Sequence, residues 1–471
     1  MNSASVYLLA LLHIAPAIAS VYHILLYKRD TRAAMGWIMA CIFIPFAGPV
    51  VYLLYGINRV RSRARVRGMW RSPFAIDFET GRRNLAAEPV VTKGLPAVGQ
   101  YITGQLPTTE NAVSVYHNGE EAYPAMLESI NRAQHRILLS TFIWKADRTG
   151  VMFADALGAA VSRGVRVMAL VDGFGELYSW RKPSKLLKRR DIVVARFLPP
   201  RLLPPSIYVN LRNHRKLLIV DHDIAFAGGM NISDHHVSLD GQARKVTDVH
   251  FGLCGSVVAE LANVFYHDWH FTTGQGSDDD VQPPPISCGD AACRVIPDGP
   301  NDQMDAIALT IQGTISAAKE WVDVMTPYFL PSRELIASFQ SAAIRGVRVR
   351  IVLPAKNNLF YVHWANRNLL IELIEWGIEF YYQPAPFCHS KILCIDDDYS
   401  MIGSANLDQR SLRLNFELGI EVFSRELNSE LRSHIDEIVA ISAPISIDEL
   451  ANRSIPVRLR DSAVSLFSPY F

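Results

Sequence analysis

One pattern is written twice in this chain of 471 residues, and it constrains the fold more than any other feature: "HRKLLIVD" at 214–221 and "HSKILCID" at 389–396. Other stretches recur at nearly the same interval. "SRGVRVMALVDG" (162–173) answers "IRGVRVRIVLPA" (344–355), and "LLSTFIW" (138–144) answers "DVMTPYF" (323–329), at offsets of 182 and 185 against 175 for the first pair. Intervals this long mean duplicated domains, because solenoid repeats run at roughly 20–50 residues. In each half an amphipathic helix pattern precedes a β-branched apolar strand, then another helix and a short "GVRV" strand. That alternation predicts α/β domains with mainly parallel sheets covered by helices. The Pro-, Gly- and Asp-rich stretch 272–290 is the expected linker, placing the two domains at 111–275 and 290–471.

At 49% hydrophobic and 20% charged residues the chain can bury a large core, and a net charge of +1 speaks against a globally basic nucleic-acid binder. The six cysteines form neither a CxxC pair nor an obvious disulfide framework, so reduced thiols in a cytosolic setting are the expectation.

The N-terminus has a different composition. No Asp, Glu, Lys or Arg occurs from Val6 to Tyr27, nor from Ala33 to Asn58. Each run is long enough to cross roughly 30 Å of hydrocarbon, which predicts a transmembrane helical hairpin over 1–58. A basic juxtamembrane segment and linker follow over 59–110, with Arg59, Arg61, Arg63, Arg65 and Arg67 in alternation. Positive-inside reasoning then places everything after residue 59 on the cytoplasmic side, with the arginines against anionic lipid headgroups.

Side chains alternate along a strand, so His214 and Lys216 point the same way, as do His389 and Lys391. A small-residue turn ending in Asn comes after each strand: "GGMN" at 228–231 and "GSAN" at 403–406, each Asn 17 residues after its His. Glycine lets the backbone approach a bound group, while Ser404, Asn231 and Asn406 offer hydrogen-bond donors. The set makes a cationic, donor-rich pocket suited to phosphate. Asp221 and Asp396 end the strands on the opposite phase and read as structural. His222, His235, His236 and His250 do not form a convincing metal site; His235 and His236 fall in a polar turn where solvated histidines are common.

These residues resemble the phospholipase D superfamily, whose HxKxxxxD signature and G[GS]xN turn stand in both copies. The likeness covers roughly 111–471, and the N-terminal apolar runs with "NLRNHRK", "TPYFLP" and "NLDQRSLRLNFE" are similar to the bacterial cardiolipin synthase branch. The resemblance implies two similar domains whose half-sites meet as one site. In it His214 would attack phosphorus and form a phosphohistidine, and His389 would protonate the departing glycerol. Lys216, Lys391, Asn231, Asn406 and Ser404 would bind phosphoryl oxygens. Glu417 would orient His214 and Asp248 would orient His389, each from the other half. No metal or other cofactor is implied, and no P-loop is present. The expected reaction joins two phosphatidylglycerols into cardiolipin and glycerol at the bacterial inner membrane. The pocket residues alone leave water open as acceptor, which would give phosphatidic acid instead.

Overall fold

The computed structural model describes residues 3–28, 31–56, 94–200, 211–275, 286–299, 305–466 and 468. They fall into two compact units, one holding the N-terminal helices and one holding both copies of the repeat. Arg59 to Arg67, and most of the 272–290 linker, lie outside the described residues.

In the N-terminal unit the first apolar run is a single helix, Ser3–Tyr27, whose side chains are described from Leu12 onward. The second run is not one helix, contrary to expectation. It breaks into Thr31–Phe43, Ala47–Val51 and a π turn, Tyr52–Gly56. Pro45 and Pro49 lack the N–H that an uninterrupted ladder needs, and a Cβ at Gly48 would run into the Ala40 carbonyl. Among the described residues no helix is long and apolar enough to cross a membrane. Ile24, Cys41 and Tyr52 are buried where the pieces meet, and His23 Nδ1 lies 2.7 Å from the Tyr52 hydroxyl. Ile18, Leu25, Met35 and Phe43 stand exposed.

The larger unit is built on one sheet. Its first half supplies β1 (Thr108–His117), β2 (Arg136–Thr141), β3 (Arg166–Asp172), β4 (Val193–Phe197), β5 (Leu217–Val220), β6 (Ile224–Gly228) and β7 (Val249–Cys254). The second half repeats them as β8 (Ala291–Asp298), β9 (Trp321–Met325), β10 (Arg348–Pro354), β11 (Glu379–Gln383), β12 (Ile392–Ile395), β13 (Tyr399–Gly403) and β14 (Glu417–Phe423). The order is 443–444, β11, β10, β9, β12, β13, β14, β8, β1, β7, β6, β5, β2, β3, β4, so the halves mirror one another across the β8–β1 junction.

Only β2–β3–β4 and β9–β10–β11 run parallel; every other neighbouring pair is antiparallel. The expectation of mainly parallel sheets is therefore corrected to a mixed, mostly antiparallel one. The reason lies in connection length: parallel neighbours need a crossover of a dozen residues or so, whereas only 221–223 separate β5 from β6. The helix patterns do sit where crossovers are made. Arg148–Ser162 joins β2 to β3 and Arg333–Ile344 joins β9 to β10, N-capped by Asp147 on Gly150 N and by Ser332 on Leu335 N. Each half packs its own apolar core, around Phe153, Leu157, Ala169 and Val171 in the first and around Phe329, Phe339 and Ile351 in the second.

A second correction concerns thiols. Cys254 at the end of β7 and Cys288 just before β8 are joined as a disulfide, with Cα atoms 5.9 Å apart. Strand β1 pairs with both β7 and β8, which brings together two cysteines 34 residues apart. Cys41, Cys293, Cys388 and Cys394 are free and buried.

Candidate active site

The repeated Asp closes each half-site from behind. Asp221 accepts from the backbone N–H groups of Gln134, His135 and Arg136 at 2.8–3.0 Å, and Asp396 from those of Lys319, Glu320 and Trp321 at 2.9–3.2 Å. Both carboxylates thus tie the start of β2 or β9 to the end of the motif strand, a structural task. Gly228 and Gly403 end β6 and β13 with φ of 154° and 144°, and a Cβ at Gly403 would strike the Leu418 carbonyl. Glycine is required for the turn that presents Asn231 and Asn406.

His214 and His389 precede their strands rather than lying in them, and each is held by the opposite half. The backbone N–H of His214 donates to Phe416 O at 2.9 Å, just before β14, and that of His389 donates to Thr247 O at 2.8 Å, just before β7. Through these exchanges His214 Nδ1 lies 3.2 Å from Glu417 Oε1, and His389 Nδ1 lies 3.0 Å from Asp248 Oδ2. The crosswise pairing implied by the family resemblance is the geometry present. Lys216 Nζ donates to His214 O at 2.5 Å and Lys391 Nζ to His389 O at 2.6 Å. Both ammonium groups are thereby drawn toward the histidine backbone of their own motif. Arg215 fastens the halves together: it pairs with Asp268 at 2.5 Å and donates to Glu417 O and Asp298 O of the second half.

Burial sets the electrostatics. It lowers His214 to about 4, helped by Lys216, and pushes His389 well below its ordinary value, helped by Lys391 and Lys216. Lys216 falls to about 8 and Lys391 to about 7, again chiefly through burial. Burial pushes Glu417 up, but His214, Lys216 and Ser404 outweigh it and leave the carboxyl below its ordinary value. Asp248 is raised by burial against the pull of Lys391, His236 and His250. The site therefore holds neutral imidazoles at neutral pH. One neutral ring suits attack on phosphorus, and an incoming phosphate anion would favour the charged forms of Lys216, of Lys391 and of the second ring.

Ser404 is corrected. Its hydroxyl donates to Glu417 Oε2 at 2.6 Å and accepts from Leu418 N at 3.0 Å, so its one proton is committed to the carboxylate and not offered to phosphate. Asn231 accepts from Ile143 N at 3.2 Å through Oδ1, leaving its amide nitrogen as a donor. Asn406 sits buried, its backbone N–H on Ser411 Oγ at 2.9 Å. Sequence reasoning missed Ser411 and Asn415, which donate to Glu417 Oε1 at 2.7 and 3.2 Å. It also missed Phe142, whose ring centroid is 4.2 Å from that of His214. His236, expected in solvent, is 3% exposed and lowered to about 3 by burial, and His250 is lowered to about 4. Among the described residues no cluster of three or more His, Cys, Asp or Glu is arranged to hold a metal ion.

Two histidine–carboxylate pairs exchanged between duplicated halves invite comparison with known proteins. The family described as "Cardiolipin synthase, PLD-like domain" matches residues 126–269 and 311–439, one segment in each half. The chain belongs to this phospholipase D-like family. A second family, "Phospholipase_D-nuclease N-terminal", matches 15–56. The chain is 28% identical over 470 residues to the cardiolipin synthase of Oceanobacillus iheyensis, covering 97% of both. It is 28% identical over 480 residues to the major cardiolipin synthase of Bacillus subtilis, covering 99% of both. Among solved structures, the phosphatidylserine synthase of Haemophilus influenzae superposes with a TM-score of 0.60 at 14% identity, over 76% of this chain and 95% of that one. That likeness is one of fold alone.

Proposed function

We propose that this phospholipase D-like protein is a membrane-bound phosphatidyltransferase that converts two phosphatidylglycerols into cardiolipin and glycerol. The observation that carries the reading is the reciprocal clamping of His214 by Glu417 and His389 by Asp248. It makes one site with two independently oriented imidazoles beside two buried lysines. Similarity to bacterial cardiolipin synthases along nearly the whole chain supports the choice of substrate.

In the first step the free ring nitrogen of His214 attacks phosphorus. The glycerol oxygen leaves with a proton from His389, and the phosphatidyl group stays on His214 as a phosphoramidate. His389, now neutral, takes the proton of the incoming glycerol hydroxyl, whose oxygen displaces His214. Lys216, Lys391, Asn231 and Asn406 balance the charge on the non-bridging oxygens. Ser404, Ser411 and Asn415 act one step back, by holding Glu417 charged.

Membrane attachment falls to the N-terminal unit, whose exposed Ile18, Leu25, Met35 and Phe43 suit an apolar solvent. The arginines after residue 58 favour a cytoplasmic position for the repeat-bearing unit, whereas the Cys254–Cys288 bridge favours an oxidising compartment. Alkylation of Cys254 and Cys288 in intact cells before and after reduction decides between the faces. For the reaction itself, the full chain in vesicles of phosphatidylglycerol is expected to release one glycerol per cardiolipin. Phosphatidic acid as sole product would replace transfer by hydrolysis.

A further inference from the structure

Beside the site lies a short projecting segment that the chemistry above leaves unused. After β3 the chain makes one 3-10 turn, Gly175–Tyr178, and then a helix, Pro183–Lys188. Between and around them Leu177 is 58% exposed, Tyr178 55% and Trp180 101%. Trp is highly buried on average in folded proteins, so complete exposure of an indole calls for a reason.

Looseness is not that reason, because both flanks are clamped. Asp172 accepts from the backbone N–H groups of Phe174 and Gly175 at 2.8 and 2.9 Å. Buried Glu176 accepts from Ser184 N at 3.0 Å and from Arg196 Nε at 2.5 Å. Ser179 Oγ accepts from Ala146 N at 2.9 Å and donates to Arg181 O at 2.8 Å. The fold holds the turn rigid and aims Leu177 and Trp180 outward.

Charge points the same way. From Leu177 to Arg190 there is no Asp or Glu, while Arg181, Lys182, Lys185, Lys188, Arg189 and Arg190 fall within ten residues. Arg190 pairs with Asp155. The other five cations are exposed and make no ion pair among the described residues. Exposed aromatic and aliphatic groups directly before a row of cations fit the boundary between acyl chains and anionic headgroups.

The position is equally telling. The Tyr178 ring lies 6.2 Å from Phe142, which is itself 4.2 Å from His214. Phe360, beside Tyr361, is 60% exposed.

We infer that Leu177–Arg190 is an interfacial hook that seats the mouth of the active site on an anionic bilayer. Leu177 and Trp180 enter the headgroup boundary, with Arg181, Lys182 and Lys185 on lipid phosphates. The hook rests on the reading that the substrate is a membrane lipid. It shortens the distance a diester must be lifted to reach His214.

The test uses the full chain in proteoliposomes of phosphatidylglycerol diluted in phosphatidylcholine, alongside dihexanoyl phosphatidylglycerol below its micellar concentration. Trp180→Ala combined with Leu177→Ala is expected to raise the KM in lipid mole fraction about tenfold, with turnover of the soluble substrate unchanged within about twofold. Lys182→Glu with Lys185→Glu is expected to do the same, on the order of tenfold and only at low salt. A nitrobenzoxadiazole label on Trp180→Cys, selective because the free cysteines are buried, should be quenched by nitroxide lipids. Equal losses on both substrates, an unquenched label, or a defect that follows self-association in light scattering would overturn the hook. Failure of the unaltered protein on both lipids would instead remove the functional reading, and the quenching measurement would still judge the hook.

Discussion

Glu417 and Asp248 hold equivalent places in the two halves, yet they are kept in different ways. Glu417 is wrapped by neutral donors, Ser404 and Ser411 at 2.6 and 2.7 Å and Asn415 at 3.2 Å. In the first half Gly229 stands where the second has Ser404, and His236 where it has Ser411. A Cβ at Gly229 would lie 2.8 Å from both oxygens of Asp248, so the shorter acid occupies the room that the serine side chain fills elsewhere. The donors around Asp248 are correspondingly fewer, and its carboxyl is raised by burial where that of Glu417 is lowered on balance. The two halves share the clamp while their carboxyls are shifted in opposite directions, which suits the different tasks proposed for the two histidines.

The largest effect expected is loss of transfer in His214→Ala and in His389→Ala, each by about 10⁴-fold or more with the fold retained by circular dichroism. The two should part on a nitrophenyl phosphodiester, whose leaving group needs no proton. His389→Ala should recover about 10²–10⁴-fold, and His214→Ala nothing. Recovery in the His214 variant would exchange the roles of the halves.

Next come the carboxylates. Glu417→Gln removes an ionised partner from His214, the proposed nucleophile, and is expected to lower kcat/KM by about 10²–10³-fold, whereas Asp248→Asn should cost roughly tenfold less. Equal losses would mean that the difference in their surroundings carries no chemical weight.

A smaller change is expected for Ser411→Ala, about tenfold in kcat with KM little altered. The sign of its pH effect is set by Glu417, whose carboxyl is held low on balance. Removing a donor raises it, so the acidic limb of kcat/KM should move to higher pH. A change in KM alone would place Ser411 on the substrate instead.

The mildest expectation concerns the lysines. Lys391 is lowered to about 7 and Lys216 to about 8, mainly by burial. Each is charged below its own value, so kcat/KM of the free enzyme should decline as pH rises through about 7 to 8. Lys391→Arg keeps its charge and should carry the decline to higher pH, at some cost in rate from the altered shape. A flat profile up to about pH 9 would mean that the lysines are more solvated than their burial implies.

Much of this was legible in the chain because the signals are local or duplicated. The spacing from His to Asn, 17 in both copies, marked the half-sites. Apolar periodicity marked the crossover helices, and the end-of-strand phase marked Asp221 and Asp396. Strand direction was missed because the motif strands are buried on both faces, and an antiparallel strand so covered shows the continuous apolar run expected of a parallel one. The break in the second apolar run was written in Pro45 and Pro49 and outweighed there by hydropathy.

The sequence by itself determined that there are two halves, that each carries His, Lys, Asp and Asn at matching positions, and that the N-terminus is apolar. These follow from residue identity and spacing along one strand or helix. Only the tertiary structure decided that Ser404 serves Glu417 rather than phosphate, that His236 is buried, that Cys254 meets Cys288, and that Trp180 points outward from a clamped turn. Each depends on how separate segments pack together, 13 residues apart for Ser404 and Glu417 and 34 for the two cysteines. Hydrogen-bond partners and burial are properties of that packing, and one chain read end to end does not contain them.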